Sequence, residues 1–278
     1  GYVLEIGDSF TGINAVDSLV AGELKIASSY DPYVRQSYVY LKGEWASLSI
    51  GQRFMATEGI TSMSAAKTGS AGRLLTVSPL AGIDLSGLNL PLIPNHVIVE
   101  PFNGRRFDSN SVRIDLNPVN GFIASAAWSD EAWDLSLRYA NADLAGFKVA
   151  GGIGYEKSDV DPFINLIPVD LERIMGSASV MHNASGLFVT GAYGRLDFQS
   201  GTTDAYHIQA GIERKFTDWG PTTLYGEFAE WSDLNLDWYG LGINQNIAES
   251  VDLYAQGRKY DFGGTDATTV LGGVRVKF

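Results

Sequence analysis

The chain is 278 residues long, with 20 Lys+Arg against 32 Asp+Glu, a net charge of −12, no cysteine, 3 His and 32 Gly. The missing cysteines exclude disulfides, thiol nucleophiles, cysteine–zinc sites and iron–sulfur clusters, and the acidic balance argues against a nucleic-acid partner. At 45% hydrophobic residues the chain is not a disordered one, yet no apolar run approaches the ~20 residues that a membrane-crossing helix needs.

In chain order, the first strand candidates are 2–8, 20–27, 33–42 and 44–53. Lys25 shares a phase with Glu23, opposite Leu24 and Ile26. In the fourth candidate Ser47, Ser49, Gly51 and Arg53 alternate with Ala46, Leu48 and Ile50, so one face is polar and the other apolar. Residues 54–109 show no good alternation and are rich in Gly, Ser, Ala and Pro. A connection of that length in a compact domain is usually functional or disordered.

Alternation resumes at 110–117, where Val112, Ile114 and Leu116 oppose Ser111, Arg113 and Asp115. Next come 120–128 and 131–140, the latter setting Trp133, Leu135, Leu137 and Tyr139 against Asp134, Ser136 and Arg138. In 145–156, Phe147, Val149, Gly151, Ile153 and Tyr155 oppose Lys148, Ala150, Gly152, Gly154 and Glu156. The remaining candidates are 171–182, 186–197, 204–217, 221–231, 235–245, 249–260 and 267–278. Segments 33–42, 186–197 and 235–245 can be phased either way, so their register stays open.

These strands are long, several of about ten residues, where soluble strands have a mode of ~5–6 and tilted membrane strands need ~9–11. Their apolar faces often begin or end on an aromatic, as at Trp128, Tyr139, Phe147, Tyr155, Tyr206 and Phe216. Interfacial girdles of a membrane barrel have that placement. Tight and longer connections largely alternate, with 28–32, 157–170, 197–203 and 261–266 among the longer ones. The candidates number about fifteen, whereas bacterial single-chain barrels are even-numbered. If the last strand runs down, parity makes 2–8 run down too. It is then the second strand of a 16-stranded antiparallel transmembrane β-barrel, and a strand preceding Gly1 is expected.

At this point the chain resembles a known family. YVRQSYVYLKGEWASLSIGQR looks like a strand–turn–strand of Gram-negative general porins. NSVRIDLNPVNGFIASAAW resembles the segment after their constriction loop, especially in alphaproteobacterial members, and WDLSLRYANADLAGFKVAGGIGYE continues the match. GYVLEIGDSFTGINAVDSLVAGELKIA is similar to their second and third strands, and Phe278 matches their terminal aromatic. The chain departs from the family in lacking a Pro-Glu-Phe-Gly-Gly signature, and Gln52 shifts Arg53 by one position.

The resemblance implies one barrel over 1–278 with 54–109 folded inward as a constriction loop. It implies a homotrimer in the bacterial outer membrane, in contact with lipid and lipopolysaccharide. Passive diffusion of ions and small hydrophilic solutes is the expected function, with no catalysis. The resemblance also implies a transverse field between wall cations and loop acids. Arg53, Arg113, Arg138, Lys148 and Lys25 lie on polar phases and are the wall candidates; Glu58, Asp84, Glu100 and Asp108 are the loop acids. Arg73, Arg105 and Arg106 lie in the loop and would blunt that field. Net charge hints at cation preference, but screening over ~8–10 Å restricts the count to charges near the constriction, so selectivity is open. Small outer-face residues Ala124, Ala126 and Gly151 mark where copies could approach closely.

No cofactor is expected. Asp159, Asp161 and Asp170 are oxygen donors of the kind Ca²⁺ takes, although a solvated acidic loop explains them as well. His96, His182 and His207 show no metal or protease spacing. The alternatives are an outer-membrane barrel hydrolase with a Ser/His site, and a soluble all-β binding module of lectin or propeller type. The latter would need repeats of ~40–50 residues.

Overall fold

The computed structural model describes residues 1–8, 32–68, 108–159, 170–198, 201–232, 235–264 and 266–276. These residues form one antiparallel sheet of fourteen strands, each paired to its neighbours in sequence. Before the long connection stand β1 (Tyr2–Asp8), β2 (Pro32–Lys42) and β3 (Ala46–Arg53). After it come β4 (Asp108–Leu116), β5 (Phe122–Trp128), β6 (Ala132–Leu144), β7 (Phe147–Ser158), β8 (Leu171–His182) and β9 (Leu187–Phe198). The sheet continues through β10 (Gly201–Arg214), β11 (Thr222–Trp231), β12 (Leu236–Ala248), β13 (Val251–Phe262) and β14 (Asp266–Val276). Expected strands that fall on described residues are all present; 20–27 lies outside the described residues.

The faces of this sheet are inverted relative to a soluble protein. In β6, Trp133, Leu135 and Leu137 are exposed while Asp134 and Ser136 are buried. In β10, Tyr206 and Ile208 are exposed while His207 and Gln209 are buried. The same holds around the sheet, from Ile50 and Ile114 to Ile153 at 64% and Leu241 at 73% exposure. A β-sandwich in water buries its apolar face; an outer band of apolar side chains over a polar interior suits a barrel in lipid. This inversion counts against the soluble binding-module alternative. It also fixes the three open registers. Val39 and Leu41 point outward, as do Val189 and Tyr193, and as do Tyr239 and Ile243.

Two expectations are corrected. Tyr2–Asp8 pairs directly and antiparallel with Pro32–Lys42 (Tyr2↔Val39 to Asp8↔Pro32). β1 therefore runs opposite to the expected direction. Alternation says which face a residue is on but not which of two candidate segments completes a ladder. The connection at 197–203 is also tighter than expected, because β9 and β10 stay paired to Phe198↔Gly201.

Six connections lie at one end of the sheet, at 43–45, 117–121, 145–146, 183–186, 215–221 and 249–250. Positive-φ residues shape several of these turns, including Asn120–Gly121 and Ala145–Gly146. The opposite end carries the connections at 54–107 and 159–170. Residues 54–68 leave β3 at that end and pass along the inner face of the sheet, where a short 3₁₀ turn, Ile60–Ser62, contacts β7, β8 and β9.

Candidate functional site

The inward segment starts at an irregularity. The β3–β4 ladder shifts register between Gly51 and Arg53, and Gly51 has φ +132. A Cβ there would sit 2.5 Å from the Ser37 carbonyl oxygen, so only glycine permits this close strand approach. Beyond it the backbone of 54–67 leaves its ladder, and each polar group it buries needs a partner.

Side chains of the wall supply those partners. The buried Asp134 carboxylate accepts from the N–H of Ala56 at 3.0 Å, and from the N–H and hydroxyl of Thr57 at 2.7 Å each. Glu156 accepts from the same hydroxyl at 3.2 Å and is itself held by Arg173 at 2.6 Å. Arg113 Nη1 donates to the carbonyls of Phe54 and Met55 at 3.0 and 2.9 Å. Arg138 Nη2 donates to those of Ala56 and Glu58 at 2.6 and 2.9 Å. Further along, Ala65 N–H reaches Ser179 at 2.9 Å and Lys67 N–H reaches Glu213 at 2.6 Å. The segment thus crosses five successive strands, β6 to β10, at progressively lower levels.

Sterics reinforce the dock. A Cβ on Gly152 would meet Met63 Sδ at 2.9 Å and Ile60 Cδ1 at 3.0 Å, and one on Gly154 would meet Thr57 Cγ2 at 2.8 Å. Two inward glycines of β7 therefore form a bare strip on which the segment rests. Ala56, Thr57, Ile60 and Thr61 are fully buried.

On the β2–β6 side the wall carries an arginine cluster. Asp115 lies at its centre, 2.6 Å from Arg113 Nη2 and 3.1 Å from Arg53 Nη2, and also accepts from Ser125 at 2.6 Å. Arg53 donates to Ser49, and its guanidinium carbon lies 4.8 Å from the Tyr38 ring centroid. Arg138 stands alongside, within Coulomb range of Asp115, Glu58 and Asp134. The three arginines border a recess of about 500 Å³ that Tyr40, Lys42 and Asn117 also line.

A second buried cluster occupies the inner face of β10–β13. Arg258 Nε lies 2.5 Å from Glu227, whose carboxylate also receives Gln256 at 2.7 Å and lies 3.1 Å from His207. Trp238 packs against His207, Trp231 and Tyr260, with centroids 5.8 to 6.3 Å apart. Isolated charges at such depth would be costly; mutual pairing and extra hydrogen bonds offset that cost.

Of the expected wall cations, the structure brings Arg53, Arg113 and Arg138 together. Lys148 shares the inward phase of β7 but stands four residues beyond Gly152, the partner of Arg138, toward the tight-turn end. It lies outside the arginine recess, because alternation assigns a face but not a height. Lys25, Asp84, Glu100, Arg73, Arg105, Arg106 and Asp161 lie outside the described residues. The Glu58 carboxylate is close enough to Arg138 for Coulomb attraction. Asp108 opposes Arg53 in the backbone register of β3 and β4.

Sequence reading missed Asp115 as the shared counter-ion, although it occupies the same phase as Arg113. It also missed Asp134 and Glu156, which look like ordinary polar-phase acids until the segment 77 to 99 residues away is seen to dock on them. Gly152 and Gly154 on one phase were the available signal, since paired strand glycines mark close approach of another backbone.

A sequence profile of Gram-negative porins matches residues 5–265. No curated protein sequence matches the chain. Among solved structures, the anion-selective porin from Comamonas acidovorans aligns with a TM-score of 0.58 at 14% identity, over 88% of this chain and 78% of that one. The trimer form of in-vitro folded OmpT, an outer membrane protein of Vibrio cholerae, gives 0.54 at 14% identity, over 90% and 82%. A mutant of the Rh. blastica porin gives 0.54 at 12% identity, over 89% and 78%. At these identities the structural likeness speaks to the fold, an antiparallel barrel.

Proposed function

The chain belongs to the Gram-negative porin family and is an outer-membrane channel protein, and from that premise we propose that its constriction favours small hydrophilic anions. The observation that carries this reading is the recess lined by Arg53, Arg113 and Arg138, where the one lining carboxylate, Asp115, is paired with Arg53 and Arg113. Charged rings set ion preference by stabilising the counter-charged solute as it sheds water. Charges more than a Debye length away, ~8 Å at physiological salt, contribute little, so the net charge of −12 does not set the sign. The similar Comamonas protein is described as anion-selective.

In this reading 54–68 begins the constriction segment, its first residues seated on Arg113 and Arg138 of the wall, and the recess that these arginines line with Arg53 borders the aqueous path. The channel works without catalysis and without a cofactor. His182 contacts Ser185 at 2.9 Å, but within one tight turn where Ser185 also receives the Leu187 N–H; that is turn chemistry rather than a hydrolytic pair. A homotrimer is the proposed assembly, in line with the trimer form of the similar OmpT. Ala124, Ala126 and Gly151 share the outward phase of Trp128 and Ile153 and would let a neighbouring wall approach. The rest of the outer face meets lipid and lipopolysaccharide.

The test is the reversal potential of the purified protein in a planar bilayer under a salt gradient. Wild type should show chloride preference, and Arg53→Glu with Arg113→Glu should move it toward cations. A reversal potential unchanged by both substitutions would remove the cluster from the selectivity account.

A further inference from the structure

The recess beside the arginine cluster holds more than charge. Tyr38 and Tyr40 project from the inner face of β2 into it, with ring centroids 6.3 Å apart. The Tyr38 ring is already engaged by the Arg53 guanidinium. Tyr40 stands beside the Gly1 backbone across the β1–β2 edge, and its side chain lines the recess with Tyr38. Lys42, exposed on the same face one alternation further, stands at the mouth.

We infer that this recess is a binding site for small aromatic carboxylates, which would stack on Tyr40 and place the carboxylate among Lys42 and the arginines. The inference rests on the channel reading above and names a solute class for it. Among the residues lining the recess, Lys42, Arg53, Arg113 and Arg138 stand against the one carboxylate of Asp115, which Arg53 and Arg113 share, so the lining keeps a positive surplus for an incoming anion. A simple inorganic anion would use the cations and leave the tyrosine face idle. A neutral ring would use the tyrosine and leave the cations idle. An aromatic carboxylate uses both. The volume of about 500 Å³ falls within the range of ~300–1,000 Å³ for small-molecule sites.

The experiment records single channels of the full chain at low ionic strength, with benzoate added to the tight-turn side. Acetate supplies charge without a ring, and benzyl alcohol a ring without charge. Benzoate should interrupt the open-channel current at concentrations about tenfold below either control. Tyr40→Ala should raise the half-blocking benzoate concentration about three- to tenfold, the equivalent of one aromatic contact. Tyr40→Phe should restore it, and Lys42→Ala should weaken block in a salt-dependent way. Acetate matching benzoate would overturn the aromatic site, as would a Tyr40→Ala channel that blocks like wild type. Channel steps with no benzoate interruption would overturn this proposal alone; folded wild-type protein with no channel steps would overturn the channel reading and this proposal with it.

Discussion

Replacing Asp134 with alanine removes the acceptor that holds the first turn of the inward segment. The carboxylate takes three hydrogen bonds, two of them from backbone N–H groups of Ala56 and Thr57, at a fully buried position. Hydrogen bonds to a charged group contribute roughly 1.5–3 kcal/mol each, and each buried N–H left alone costs roughly 1–3 kcal/mol. These terms overlap, and the two stranded N–H groups together set a cost of roughly 2–6 kcal/mol. That corresponds to about a 30- to 20,000-fold shift in the docking equilibrium. The strand ladder does not depend on this side chain, so the barrel should still fold and migrate as heat-modifiable protein. Single-channel recording should then show new closing events and excess open-channel noise as the segment leaves the wall. Asp134→Asn keeps one carbonyl acceptor and should lie between. A folded Asp134→Ala channel with wild-type noise and dwell times would refute the latch.

Four other outcomes follow from the same geometry. Asp115→Asn removes the carboxylate shared by Arg53 and Arg113 and should strengthen anion preference in reversal-potential measurements. Gly154→Val drives side-chain atoms into Thr57, now 2.8 Å from the Cβ position; overpacking of ~1–3 kcal/mol should displace the segment and change unit conductance. Glu227→Ala strands Arg258 beneath Trp238 and should cost ~3–5 kcal/mol, read as a lower temperature for the heat-modifiable shift. Ile153→Arg puts a charge on the lipid-facing wall at a cost of ~2–4 kcal/mol near the membrane midplane, whereas Gly176→Ala on the same face should be tolerated in refolding titrations.

Alternation made most of the strands legible, because each buries one face and a period of two survives noise in single residues. It also placed Arg53, Arg113 and Arg138 on the polar phase, and their proximity follows from adjacent registers such as Ser49↔Arg113 and Ile123↔Arg138. What alternation lacks is height and partner. Phase alone groups Lys148 with the arginines, yet it lies four residues further along β7. The segments 20–27 and 33–42 are equivalent strand candidates by pattern, and only the ladder shows that β1 pairs with Pro32–Lys42. The latch was invisible for a different reason: Asp134 and Glu156 act on backbone groups of a segment that has no periodicity to read. The packing of Trp238, Arg258 and Glu227 was hidden for lack of register, since 235–245 can be phased either way until its pairing with β11 and β13 is seen.

Whether the wall arginines set the sign of selectivity is tested most directly by the reversal potential of detergent-purified protein in a planar bilayer under a salt gradient. Discrete current steps with a reversal potential on the chloride side are the expected result. Folded, heat-modifiable protein that gives no steps, or steps reversing on the cation side, would contradict the account.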